Sequence, residues 1–171
     1  MSLHVLHDST GSAARALLAL QNLDENQRVR HPNATILAVL LLLQLQPYHR
    51  ELLPKYRGYD FQWESEQVEK ADRLLSAARL QGDDGTLLHE ELEFTARLLG
   101  HAARLGRQRF ATPNLEVSEI PASERGRLAE ELADLSERYR RLWLGRSRPG
   151  GLSDSAGRLL ALQESYLLPR A

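Results

Sequence analysis

Apolar residues recur along most of this chain at alternating steps of three and four, the spacing that lines one face of an α-helix. The first such segment is 12–21, SAARALLALQ, preceded by Asp8, Ser9 and Thr10, all residue types that cap helix N-termini. A polar stretch, NLDENQRVRHPN, separates it from a helix expected over 34–46, with Asn33 placed to cap it and Pro47 to end it. That helix is apolar on nearly every side, so it belongs in the middle of a core. Residues 48–60 hold Pro54, Gly58 and three tyrosines, which predicts a short or broken helix.

The second half is more regular. A helix over 62–81 runs into the turn GDDG, and another over 86–109 carries Leu88, Leu92, Thr95, Leu99 and Ala102 as its apolar seam. After a loop near 111–120, Pro121 suits the first turn of a helix over 122–144, whose seam is Leu128, Leu132, Leu135, Tyr139 and Leu142. A last helix over 153–167 aligns Leu152, Ala156, Leu159 and Tyr166. No segment alternates apolar and polar residues for long enough to make a strand. The fold class expected is all-α, one domain over 1–171, an antiparallel bundle of five or six helices.

Composition narrows the function classes. The chain has 171 residues, enough to bury a real core, and its 42% hydrophobic and 26% charged content is that of a globular protein. A net charge of −1 argues against a nucleic-acid partner. Without cysteine there is no disulfide, thiolate metal site or cysteine nucleophile. The run from Ile36 to Leu43 is too short to span a bilayer and the first residues do not form a signal peptide, so a cytoplasmic location without membrane contact is expected.

Candidate chemistry is sparse. His89-Glu90 begins like the zinc motif His-Glu-x-x-His, but Glu93 stands where the second histidine belongs. His101 is three helical turns on, and both histidines are expected on a solvated polar face. His4 and His7 fall in a segment expected to fray. The acidic pairs Asp24-Glu25 and Asp83-Asp84 sit in polar turns, and no nucleophile elbow or phosphate loop is present. Neither a metal nor a cofactor is expected.

What remains is LWLGRSRPGGLSDS, residues 142–155. Arg138, Arg140, Arg141, Arg146 and Arg148 gather around Trp143, where cations favour the end of a helix dipole and could also face an anionic partner. The corner itself reads as a junction. Gly145 is expected to take a left-handed cap position, Pro149-Gly150-Gly151 to reverse the chain, and Ser153 or Asp154 to cap the final helix.

The stretch LSERYRRLWLGRSRPGGLSDSAGRLLALQESY resembles the end of bacterial family 20 glycoside hydrolases of the β-N-acetylhexosaminidase type. Two further stretches are similar to the same enzymes: ARALLALQNLDENQRVRHPNATILAVLLL to the region just after their catalytic barrel, and LHEELEFTARLLGHAARLG to their long middle helix. The resemblance implies a non-catalytic, helical C-terminal accessory domain. It would pack on the catalytic barrel of its parent enzyme or mediate homo-oligomerisation. The family's catalytic Asp-Glu pair has no counterpart here, since Asp24-Glu25 lacks the strand that would present it. Trp143, Arg146, Arg148, Arg141 and His31 are the residues expected to contribute to binding or to an interface. A free-standing helical interaction or dimerisation module is the alternative.

Overall fold

The computed structural model describes residues 6–26, 34–41 and 51–168. Among them are six α-helices and no strand: α1 (Ser12–Gln21), α2 (Ile36–Leu40), α3 (Gln62–Ala77), α4 (Gly85–Phe110), α5 (Ala122–Arg146) and α6 (Leu152–Leu167). The all-α bundle predicted by the spacing is the fold observed.

Side-chain contacts give the directions. His89 on α4 meets the Leu75 carbonyl of α3, while Arg107 at the far end of α4 meets the Asp60 carbonyl ahead of α3. Glu93 pairs with Arg138, and Glu131 with Arg104, so α4 and α5 also run antiparallel. Arg125 at the start of α5 reaches the carbonyl of Tyr166 at the end of α6. Helices α3 to α6 therefore form an up-and-down series, with α1 packed on α3 and α2 on α4.

The segment around Asp8 is pinned. Asp8 is fully buried and its carboxylate accepts from the N–H groups of Ala13 (2.8 Å), Thr10 (3.0 Å) and Arg79 (3.1 Å) and from the Thr10 hydroxyl (2.7 Å). The N-cap of α1 is left-handed Gly11 and not Asp8, Ser9 or Thr10, but the Asp8 carboxylate takes up the first-turn N–H of Ala13 and holds the chain leaving α3, which overrides the fraying expected around His7. The same contact shortens the helix expected over 62–81. Ala78 turns extended (ψ 152°), α3 stops at Ala77, and Leu80 pairs with Asp8 in an isolated antiparallel bridge.

Helix α2 begins two residues later than expected, because Thr35 is its cap: the Thr35 hydroxyl accepts from the Ala38 N–H at 3.0 Å. Its residues Ile36, Leu37, Val39 and Leu40 are each at most 1% exposed, while Ala38 is exposed, so the helix sits in the core with one side open. The helix expected to run to residue 46 ends instead at Leu40, with Leu41 as its C-cap; residues 42–46, Asn33 and His31 lie outside the described residues.

Beside α2 sits an aromatic cluster. Phe61 stacks on Phe110 with centroids 5.8 Å apart and planes within 6°, Tyr56 stacks on Phe110, and Tyr59 meets Phe61 edge-on at 4.8 Å. Gly106 makes room for it. A Cβ there would lie 2.5 Å from Phe61 Cζ and 2.8 Å from Leu40 Cδ1.

The seam expected on the fourth helix needs correction. Thr95 is exposed, and the buried positions are Gly85, Phe94, Ala96, Gly100, His101, Ala102, Ala103, Leu105, Gly106 and Phe110. This helix packs against α2, α3 and α5, so it buries more than one stripe. The α5 seam is as expected, with Leu128, Leu132, Leu135 and Leu142 buried.

Candidate functional site

Besides Asp8, two sets of polar side chains join the long helices, one inside the bundle and one at its surface. The interior one joins three helices. His101, wholly buried on α4, places Nδ1 2.8 Å from Glu131 Oε2 on α5 and Nε2 2.9 Å from the Tyr166 hydroxyl on α6. The carboxylate can only accept, so Nδ1 carries a proton and donates to Glu131, while Nε2 and the Tyr166 hydroxyl share a hydrogen bond. Arg104 closes the outer side, donating through Nε and Nη2 to Glu131.

Carboxylate, imidazole and hydroxyl stand here in the order that activates nucleophiles. The chemistry runs the other way. Burial, with the Glu131 charge added, pushes the Tyr166 phenol well above its ordinary range, so the hydroxyl keeps its proton. Burial also opposes ionisation of Glu131, but the His101 and Arg104 hydrogen bonds outweigh it and hold the carboxyl below its usual value. The neighbouring 240 Å³ cleft is lined by Glu131 and Arg104 but by neither His101 nor Tyr166. The arrangement fits a clamp, with each polar group satisfied against a partner from another helix.

Sequence reasoning missed this clamp. It placed His101 on a solvated face, whereas His101 is 0% exposed. The residues are separated by 30 positions (His101 to Glu131) and 65 (His101 to Tyr166), and only the antiparallel packing brings them together. His89, the other histidine assigned to that face, is partly buried and bonds the Leu75 carbonyl at 2.9 Å.

At the surface, the arginine cluster divides by helix face. Arg138 bonds Glu93 (2.7 Å) and the Glu90 carbonyl (3.1 Å), and Arg141 pairs with Glu90 at 3.1 Å. Arg146 makes a two-point contact with Glu91 (2.9 Å for each bond) and a third with Asp84 at 2.8 Å. These bonds to Glu91 and Asp84 hold the Arg146 guanidinium charged far above its ordinary range, and Asp84 is pulled below its own chiefly by Arg146. The three arginines staple α5 to α4. Arg140 and Arg148 are exposed and make no ion pair among the described residues.

Trp143 belongs to the corner. Its indole packs on Tyr139 at 5.9 Å between centroids and donates from Nε1 to the Arg148 carbonyl at 3.0 Å. Gly145 does not take the left-handed cap: α5 continues to Arg146, and a Cβ at Gly145 would meet Leu87 at 3.2 Å. The left-handed residue is Gly151 (φ 81°), which caps α6, so neither Ser153 nor Asp154 does so; both lie in the first turn. The expected reversal through Pro149-Gly150-Gly151 is present, closed by the Leu152 N–H on the Pro149 carbonyl at 3.2 Å.

Among the described residues no group of three or more histidine, aspartate or glutamate side chains could hold a metal ion, and no helix is long and apolar enough to cross a membrane. Compared with known protein families, curated proteins and solved structures, the chain matches none.

Proposed function

We propose that this chain is a non-catalytic helical accessory domain that acts by docking to another protein surface. One contrast carries the reading. The convergent polar groups at His101 and along α4–α5 are spent on holding the bundle together, while Leu144 (53% exposed), Leu160 (42%) and Leu167 (67%) stand on the outer side of α5 and α6. Leucines held in water lose the stabilisation that burial would give, and one of them, Leu160, lines an open groove between α5 and α6, the kind of surface on which partners dock.

The particular partner comes from the resemblance alone. The three stretches similar to family 20 β-N-acetylhexosaminidases point to the catalytic barrel of such an enzyme, whose parent protein would hydrolyse terminal N-acetylhexosamine residues. The purified chain should give no turnover of a chromogenic β-N-acetylglucosaminide. Mixed with a family 20 barrel lacking its own C-terminal helices, it should form a stoichiometric complex by light scattering. Turnover by the chain alone would overturn the non-catalytic reading. A barrel that neither binds the chain nor raises its melting temperature would overturn the assigned partner.

A further inference from the structure

The open face carries more than exposed leucines. A groove of about 520 Å³ runs between the end of α5 and the start of α6, lined by Arg140, Pro149, Leu152, Ser153, Ala156, Gly157 and Leu160. Its lining is mixed in a particular way. Ala156 is buried and Gly157 has open space above it, with nothing within 4 Å of where a Cβ would stand, so the α6 wall is low at two successive positions. Leu160 rises one turn beyond them, and exposed Leu167 two turns further along α6. A branched apolar side chain can enter over Ala156 and Gly157 and lie against Leu160.

Charge gives the groove a sign. Arg140 lines it, Arg148 directly precedes the lining residue Pro149, and neither has an acidic partner among the described residues. Their neighbours Arg138, Arg141 and Arg146 are already neutralised by Glu93, Glu90, Glu91 and Asp84. Of the acids close in sequence, Glu137 lines a different cleft with Asp134, Arg138 and Arg141, which leaves Asp154 in the first turn of α6. One unpaired guanidinium, that of Arg140, therefore lines the groove, and a second belongs to Arg148, the exposed residue next to the lining residue Pro149.

We propose that this groove binds an acidic amphipathic helix, with leucine-sized side chains seated over Ala156 and Gly157 and carboxylates on Arg140 and Arg148. Helix-in-groove recognition supplies the apolar anchoring, and the unpaired cations select an acidic segment over a basic one of the same shape. The proposal rests on the docking reading and names the chemistry of the partner's contact segment.

Two labelled synthetic amphipathic peptides with the same leucine pattern test it, one filled out with glutamate and one with lysine, read by fluorescence anisotropy on the full chain. The glutamate peptide should bind about tenfold more tightly than the lysine peptide, and the difference should shrink as salt screens the charges. Gly157→Leu fills the slot and should abolish binding of both, while circular dichroism reports that the helix is intact. Arg140→Glu, which leaves the slot open, should erase or invert the preference.

Equal affinity for the two peptides would overturn the proposal. So would binding unchanged by Gly157→Leu, or a homodimer seen by light scattering that Gly157→Leu disperses, which would make a second copy the occupant. A chain that binds a family 20 barrel but neither peptide would refute this inference while leaving the docking reading intact.

Discussion

Trp143 Nε1 donates to the Arg148 carbonyl across 3.0 Å, so the indole on the last turns of α5 holds the loop that leaves its own helix. The corner is closed by this bond on one side and by left-handed Gly151 on the other. Trp143→Phe keeps most of the ring and removes the donor. It should cost about 1 kcal/mol, the net worth of an ordinary hydrogen bond, in a denaturant titration. A loss several times larger would mean that packing on Tyr139, and not the bond, holds the corner.

His101 and Tyr166 give a second prediction. Tyr166→Phe leaves Nε2 of a fully buried imidazole without its partner and should destabilise the chain by about 1–3 kcal/mol. The double variant His101→Leu, Tyr166→Phe should lose less than the sum of the single variants, because both ends of the bond are then gone. Additive losses would show that the clamp does not act as a unit. An increase in any hydrolytic activity on restoring Tyr166 would show that the hydroxyl is chemically engaged.

Two helical glycines should respond in opposite directions to the same change. Gly106→Ala forces a methyl to within 2.5 Å of Phe61 in the aromatic cluster and should cost about 1–3 kcal/mol. Gly126→Ala on α5 meets nothing within 4 Å and should stabilise by about 0.5–1 kcal/mol through helix propensity. Thermal melts of the two variants decide the matter, and matching signs would contradict the packing described.

Acid should unfold the chain through Asp8 and the ion-paired glutamates. Burial alone would raise the Asp8 carboxyl, but hydrogen bonds from Ala13, Thr10 and Arg79 outweigh it and bring the group from 3.8 to about 2. A carboxyl depressed in the folded state stabilises it fully above the unfolded value, and that contribution is lost as pH falls toward the folded value. Glu131, tied to His101 and Arg104, and Glu93, tied to Arg138, are shifted in the same direction. Stability should therefore decline as pH drops from about 4 toward about 2, and Asp8→Asn should flatten that decline while lowering stability at neutral pH. A variant with an unchanged acid slope would remove Asp8 from the account.

Legibility in the sequence followed the range of the forces involved. Leu128, Leu132, Leu135 and Leu142 announced the buried face of α5 because helical period alone brings them together. Helix ends were less accessible. Asp8, 71 residues before Arg79, decides where the chain leaving α3 turns, and no window around residue 79 contains that information. Gly145 shows the same limit: its position after Trp143 suggested a cap, yet its small size answers to Leu87 on another helix.

By itself the sequence determined the all-α class, the approximate bounds of the described helices other than α2, the apolar character of Ile36–Leu40 and the turn at Pro149-Gly150-Gly151. These follow from 3.6-residue periodicity and from backbone preferences of single residues, both local properties. Tertiary structure decided the rest. It brought His101, Glu131 and Tyr166 into one clamp and assigned Arg138, Arg141 and Arg146 to acids on α4 while leaving Arg140 in the wall of an open groove. A charge's partner depends on which helix lies opposite and in what register, and side-chain identities along one chain do not encode that pairing one position at a time.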